Sequence, residues 1–169
     1  KAMKKLFEIL LPAQIDNTLR GWKLPFYIFA LYTMLSTVRS FIHLLSQDGG
    51  AGSIAGMDLS VAGADGIIFA FGLWGSSQLL FAIIQLLVVV RYRSLVPLMW
   101  LMLILEVLLR ELVGAMKPVI FAHTPPGALG NQLFLPLAAL MLVTGPLPQW
   151  LRASVPVASR AAVASLVKR

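Results

Sequence analysis

The sequence predicts an all-α integral membrane protein, a bundle of four transmembrane helices preceded by an interfacial helix. Of its 169 residues, 59% are hydrophobic and only 12% are charged, whereas an ordinary soluble domain has about 25% charged residues. Whole segments of about 20 residues are nearly free of charge, and this length crosses a hydrocarbon core of about 30 Å. A soluble core could not hide so much apolar surface.

Residues 1–23 form the first predicted element, an amphipathic segment that lies at the membrane surface. It is expected to be helical and to break near Pro12. Its apolar side chains are mixed with charged ones and are Leu6, Ile9, Leu10, Ile15 and Leu19.

Three apolar segments then follow, each long enough to cross a membrane. The first covers about residues 24–46 and the second about residues 66–90. The loop between them is rich in glycine and small residues, and a flexible extracytoplasmic loop is expected there. The third segment covers about residues 95–116. Because only a few residues separate it from the second, these two helices must be antiparallel neighbours.

The fourth predicted span, about residues 133–147, is the shortest and contains Pro136. It can be extended back toward Gly127 if the preceding loop residues tuck under the interface. The four spans together define a transmembrane domain over residues 24–147. Residues 148–169 form a basic C-terminal segment, which composition alone describes as a surface-lying segment or a disordered tail.

The distribution of basic residues predicts the orientation. Eleven of the fourteen Lys and Arg residues fall on one side, in the N-terminal segment, the turn after the second span and the C-terminal segment. The other side has Lys117 together with Asp48, Asp58 and Asp65. By the positive-inside rule both termini are cytoplasmic, and the expected location is the bacterial cytoplasmic membrane. The net charge of +7 is therefore a topology signal. Its expected partner is the lipid bilayer and not nucleic acid.

The third span contains charges that a membrane helix normally avoids. Glu106, Arg110 and Glu111 lie within LMLILEVLLRELVGAMKP. A lone ionised group at the bilayer centre costs at least about 2.5 to 3.5 kcal/mol on insertion scales, so partners are expected. Glu106 is expected to pair with Arg110 four residues later. Arg39 of the first span is expected to reach Glu106 or Glu111.

Depth along the helices brings further polar residues to the same level. At about 1.5 Å per residue, several polar groups of three spans converge in the outer half of the bilayer. The predicted polar cluster consists of Arg39, His43, Gln78, Glu106, Arg110 and Glu111. Such a cluster can fix helix register as buried structural polar groups do, or it can mark a ligand or proton site. The sequence leaves both interpretations open.

Other chemistry is not indicated. The chain has no cysteine, which excludes thiol catalysis and Cys-ligated metal centres. The two histidines are far apart and lack acidic ligands at helical spacing, so neither a metal site nor a haem site is predicted. The glycine-rich loop 49–66 lacks the Lys-Ser/Thr pair of a phosphate loop. No cofactor and no catalytic residue are therefore expected.

A stripe of small residues lies on the second span. Gly72, Gly75 and Ser76, followed a turn later by Leu79 and Ala82, form a low-relief surface. Surfaces of this kind let two helices approach closely. The stripe can serve inside the bundle, or it can serve association with another subunit.

Three features of residues 24–145 together carry a family resemblance. They are an arginine inside the first span, Arg39; a glycine-containing second span; and the basic turn RYRSLVPLM, which leads into a third helix with Arg110 near its outer end. In these features the chain resembles the DoxX-like group of small four-helix membrane proteins. The resemblance implies a four-helix fold, and some members of that group are linked to quinone-coupled oxidation.

For function, the sequence favours an accessory or scaffold subunit without catalysis of its own. Such a subunit packs against itself as a homo-oligomer or against a larger membrane complex. The alternative is a protein that binds or transports a small ligand, a lipid or a quinone, with an anionic or amphipathic ligand at Arg39 and Arg110. A membrane-embedded enzyme is a third interpretation. The deciding observation is whether the polar cluster is closed or opens into a cavity.

Overall fold

The computed structural model describes residues 2–145, and the regular structure in that part of the chain is entirely helical. The predicted segment 148–169 lies outside the described residues. The helices follow in the order α1 (Ala2–Leu10), α2 (Leu24–Leu45), α3 (Ala64–Val90), α4 (Val96–Met116) and α5 (Pro126–Thr144). A single 3₁₀ turn, Arg93–Leu95, joins α3 to α4. The all-α prediction is thereby confirmed for the described residues.

Three of the helices, α2, α3 and α5, are long and apolar enough to cross a membrane, as an integral membrane protein requires. The fourth long helix, α4, has 21 residues but carries three charges in its second half. Proline lies in the first turn of α2, α4 and α5, where its missing N–H costs nothing and its fixed φ suits a helix start. This preference explains why α5 begins at Pro126 and not near residue 133, in agreement with the predicted extension toward Gly127.

The most extensive packing between two helices of the described residues is that of α2 against α3. The two helices pack along their lengths as an antiparallel hairpin. The seam on the α2 side is built largely from small polar residues, and Thr33 and Ser40 there are fully buried. Their hydroxyls donate to backbone carbonyls one turn earlier in the same helix. On the α3 side, Gly75 and Ala82 are buried. Small residues on both sides allow the two backbones to approach closely.

Gly75 is the point of closest approach in this seam. A Cβ at this position would lie 2.7 Å from the backbone nitrogen of Leu44 and 2.8 Å from the carbonyl carbon of His43. At Gly72, one turn earlier in α3, a Cβ would meet nothing within 4 Å. Gly75 of the predicted small-residue stripe therefore packs inside the bundle, against α2.

The apolar core lies toward the N-terminal ends of α2 and α4 and the C-terminal ends of α3 and α5, where α4 and α5 pack together and against α2. Trp100 is only 1% exposed, and its ring meets that of Phe29 edge-on at 5.9 Å. The indole Nε1–H donates to the carbonyl of Pro25 at 3.3 Å. Ala138 and Met141 of α5 complete this cluster. The most highly charged of the four long helices thus also supplies the centre of the apolar core.

The segment before α2 is tied to the end of the bundle that holds the apolar core. The backbone N–H of Asp16 donates to Ser94 Oγ, and that hydroxyl lies equally close, 3.0 Å, to the Asp16 carbonyl. The backbone N–H of Trp22 donates to the carbonyl of Gly145 at 2.9 Å. The backbone N–H of Thr18 and the guanidinium of Arg20 hold the pKa of Asp16 below its usual range. These contacts connect the N-terminal segment to the α3–α4 turn and to the end of α5.

We expect Gly75→Ala to lower stability by about 1 to 3 kcal/mol, because the added methyl group would overlap backbone atoms of α2 that cannot rotate away. Gly72→Ala is the matched control in the same helix and should be neutral, or stabilising by up to about 1 kcal/mol, since alanine favours helix. Thermal unfolding of both variants in a mild detergent measures the difference. Equal melting temperatures would contradict the close approach at Gly75.

Candidate functional site

Four of the six residues of the predicted polar cluster, Arg39, Gln78, Glu106 and Arg110, form one hydrogen-bonded series across three helices. We call this series the polar chain. Arg39 Nη2 donates to Gln78 Oε1 at 3.0 Å, and Gln78 Nε2 donates to Glu106 Oε1 at 2.8 Å. Arg110 Nη2 contacts the other carboxylate oxygen, Glu106 Oε2, at 3.1 Å. The predicted pair of Glu106 with Arg110 is confirmed. The predicted direct contact of Arg39 with Glu106 or Glu111 is wrong, because Gln78 lies between the charges.

The hydrogen bonds of the polar chain determine how Gln78 and Glu106 take part in it. Both oxygens of Glu106 accept hydrogen bonds, as those of an ionised carboxylate do. The orientation of the Gln78 amide is set by its two neighbours, since a guanidinium can only donate and a carboxylate only accepts. Gln78 therefore presents its oxygen to Arg39 and its nitrogen to Glu106. The side chains of Arg110 and Glu106 remain 25% and 21% exposed.

His43, the next member of the predicted cluster, is buried one turn farther along α2. Its Nδ1 lies 2.7 Å from the carbonyl oxygen of Gly49. Because a carbonyl can only accept, Nδ1 carries the proton in this contact. The imidazole ring lies beside that of Trp74, with 4.6 Å between centroids and 47° between the ring planes. The guanidinium carbon of Arg39 lies 5.7 Å from the centroid of the same indole. Trp74 thus connects His43 to the polar chain.

The loop after α2 folds into a series of turns over His43. Asp48 accepts hydrogen bonds from the backbone N–H groups of Ser53 and Gly50 at 2.6 and 2.8 Å, and these bonds lower its pKa to about 2. Gly50 has φ +78°, and a Cβ there would lie 3.0 Å from His43 Nδ1. The glycine-rich composition predicted a flexible loop. The structure instead gives this loop turns held by Asp48 and a position against His43.

A cavity of about 860 Å³ opens beside the polar chain, at the ends of the four long helices opposite to the apolar core. The polar side chains of its wall are Arg39, His43, Arg110, Glu111, His123, Thr124 and Asn131. The rest of the wall is largely apolar and includes Phe71, Trp74, Phe121 and Pro125. Gln78 and Glu106 are not among the lining residues. The guanidinium groups therefore face the cavity, and the carboxylate of Glu106 lies behind them.

Arg39 and Arg110 of the cavity wall have N–H donors that make no hydrogen bond within the polar chain. Arg39 Nε and Arg110 Nε are both buried, and neither has a hydrogen-bond partner among the described residues. An arginine presents five N–H donors in a planar fork that matches carboxylate and phosphate oxygens. These Nε atoms have no surface open to the cavity, but among the described residues each guanidinium donates through Nη2 alone. Its Nη1 therefore remains available to an anion in the cavity.

Glu111, the last residue of the predicted cluster, makes no contact with the polar chain. It is exposed, and the nearest hydrogen-bond donor to its carboxylate is Asn131 Nδ2 at 3.5 Å. Within residues 2–145, no three His, Asp or Glu side chains come together as metal ligands would. The polar chain is therefore a network of ion-pair and amide contacts.

Trp74, His123 and Asn131 are among the residues of the cavity wall that were missed from the sequence. Trp74 lies four residues before Gln78, and this helical spacing was the signal that could have placed it beside Arg39. His123 and Asn131 gave no comparable signal. The backbone N–H of Ala122 donates to the carbonyl of Gly56 at 3.0 Å, so His123 is positioned by contact between two loops. Contacts of that kind leave no periodic pattern in the sequence.

Comparison with family models, with curated proteins and with solved structures finds no match for this chain. The resemblance to the DoxX-like group therefore stays a prediction carried by the sequence features alone. The function has to be argued from the cavity and the polar chain.

We expect Glu106→Gln to lower stability by about 1 to 3 kcal/mol, because Arg110 would lose its carboxylate partner in a partly buried position. Glu111→Gln is the matched control on the same helix, five residues farther on and exposed, and it should change stability by less than about 0.5 kcal/mol. Thermal unfolding in detergent measures both variants. If the two variants melt together, the Glu106 contacts do not stabilise the bundle.

Proposed function

We propose that this chain is a four-span protein of the bacterial cytoplasmic membrane that binds a small amphipathic anion in its cavity. The observation that carries the proposal is the pair of guanidinium groups of Arg39 and Arg110 on the wall of an otherwise largely apolar cavity. Each donates one hydrogen bond through Nη2, and among the described residues neither Nη1 has a hydrogen-bond partner. Binding sites of this kind combine apolar walls for the body of a ligand with a few polar groups that orient it.

The proposal includes α4 as a transmembrane helix. Its 21 residues give a length of about 30 Å, the thickness of a hydrocarbon core. It packs against α2, α3 and α5. Two of its three charges, Glu106 and Arg110, neutralise each other, and Glu111 is exposed near the cavity mouth. Pairing of this kind is what makes ionisable groups tolerable inside a membrane.

The depth of the two arginines favours a ligand that is partly embedded in the bilayer. Arg39 lies fifteen residues from the start of α2 and Arg110 fourteen from the start of α4, which is about 20 Å along each helix. Both groups are then below the outer surface of the hydrocarbon core. A charged headgroup would reach them only with an apolar body beside it. Two guanidinium groups also favour an anion over the neutral carbonyls of a quinone.

The accessory-subunit interpretation has less support from the described residues. Its main sequence feature was the small-residue stripe of α3. Gly75 of that stripe contacts the backbone of α2, and Ala82 is fully buried. These two residues pack within the bundle, so they offer no surface to a partner subunit. For this reason we propose ligand binding as the function.

Single cysteines introduced into this cysteine-free chain test the four-span topology. Ser53→Cys and Ile120→Cys should both react with an impermeant thiol reagent added outside intact cells, because both loops are proposed to be extracytoplasmic. Arg91→Cys should react only after the membrane is opened, since the turn between α3 and α4 carries the inside basic residues. All three positions are exposed.

The labelling pattern separates three topologies. If α4 does not cross the membrane, Ile120→Cys will behave like Arg91→Cys and unlike Ser53→Cys. If the orientation is reversed, Arg91→Cys alone will react from outside. Either pattern would overturn the proposed topology.

A cavity-filling substitution tests the ligand site. Gly114 lines the cavity, and a Cβ there meets nothing within 4 Å, so Gly114→Phe should place its ring in the cavity without straining the fold. Gly130 of α5 is equally open but does not line the cavity, and Gly130→Phe is the matched control. The probe is radiolabelled laurate, with saturable binding measured in phosphatidylcholine nanodiscs and empty nanodiscs as background.

We expect Gly114→Phe to weaken laurate binding at least about tenfold, a loss of about 1.4 kcal/mol, while Gly130→Phe binds as the parent chain does. Equal binding by all three proteins would place laurate outside the cavity and contradict the proposal.

A further inference from the structure

We infer that the cavity selects an amphiphile with a single negative charge, such as a long-chain carboxylate, and that Gln78 sets this selectivity as a positioning residue. The inference rests on the proposed function and specifies the charge of its ligand. It follows from counting the charges of the buried chain and from the position of each charge relative to the cavity.

The polar chain carries one uncompensated positive charge. Arg110 and Glu106 form an ion pair, at 3.1 Å. Arg39 contacts only the neutral amide of Gln78. In the described part of the chain the only other ion pair is Arg20 with Asp16, at the opposite end of the bundle. The charge of Arg39 is therefore left without a carboxylate partner.

Gln78 is the reason that Arg39 stays uncompensated. Its amide takes the position between Arg39 and Glu106, accepting from one and donating to the other. Each neighbour gains one hydrogen bond from this amide, but no negative charge comes next to Arg39. A glutamate of the same length at this position would form a direct ion pair with Arg39. The choice of amide over carboxylate thus leaves one positive charge available to a ligand.

The remaining charged group of the wall does not change the count. Glu111 is exposed at the cavity mouth, where water and salt screen its charge more effectively than that of a buried group. His43 and His123 also line the cavity. Counting Arg39, Arg110 and Glu106, the polar chain has a net charge of one positive unit.

A ligand with one negative charge would complete this balance. It would meet Arg39 and Arg110 first, because both line the cavity while Glu106 lies behind them. A dianion would leave one negative charge unpaired in a partly buried site, and unpaired buried charge is strongly unfavourable. The largely apolar wall, including Trp74 beside Arg39, suits an alkyl chain next to the headgroup.

The experiment compares three probes with the same dodecyl chain at pH 8, on the full chain in phosphatidylcholine nanodiscs. Laurate carries one negative charge. Dodecyl phosphate carries two, because the second pKa of a phosphate monoester is about 6. Dodecanol carries none. We expect the parent chain to bind laurate at least about tenfold more tightly than either of the other two probes.

Two charge variants should then move this preference in opposite directions. Gln78→Glu should weaken laurate binding at least about tenfold, to the level of dodecanol, because Arg39 gains an internal partner. Glu106→Gln leaves two positive charges on the wall, and dodecyl phosphate should then bind more tightly than laurate. A residue that only supported the fold would change all three affinities together and would not change their order.

Asp65→Asn removes one negative charge at an exposed position of α3 outside the cavity wall; it is the control for the charge count and should keep the parent order of affinities. Thermal unfolding reports whether each variant is folded, and if a variant fails to fold, the order of the three probes on the parent chain decides. The inference is overturned if dodecyl phosphate binds the parent chain as tightly as laurate, or if folded Gln78→Glu and Glu106→Gln keep the parent order. If neither anion binds more tightly than dodecanol, the proposed function itself is wrong.

Discussion

The close approach of α2 and α3 at Gly75 is the constraint on which the rest of the structure depends. A backbone contact without an intervening Cβ fixes how the two longest apolar helices slide and rotate against each other. With that register set, Arg39 lies at the level of Gln78, and the amide can bridge from α2 to Glu106 of α4. A slip of one turn would separate Arg39 from its partner and leave its charge buried alone, at a high cost in free energy.

The helix α4 meets two opposing demands along its length. Its N-terminal half carries Trp100 and Leu103, which are almost fully buried in the apolar core. The charges follow from its midpoint, Glu106, onward, and there α4 and α5 line a cavity. Separation of this kind lets one helix hold the bundle together at one end and supply polar groups at the other. The stability of the core therefore does not depend on filling the cavity.

The loops complete the cavity because they pack against each other and against the helix ends. Asp48 holds the turns that place Gly49 against His43, and Gly56 binds the backbone of the second loop next to His123. Both histidines thereby reach the wall on which the two arginines lie. Apolar surface, donors for an anion and a cavity of about 860 Å³ occur together in this region, and this combination supports an amphipathic ligand.

The sequence by itself determined the properties that depend on local spacing and composition. It predicted the helical class, the approximate limits of α2, α3 and α4, and the pairing of Glu106 with Arg110, because residues four apart on one helix are neighbours whatever surrounds them. It also brought Arg39 and Gln78 to a similar depth, since depth follows from the rise per residue.

Only the tertiary structure decided which side chains of different helices and loops contact each other. Three features depend on helix rotation and on contacts between loops: Gln78 between Arg39 and Glu106, the burial of Gly75 and Ala82 of the small-residue stripe inside the bundle, and His123 on the cavity wall. Periodicity along one helix contains no information about the rotation of its neighbour, and a cavity is the volume left after all the helices have packed.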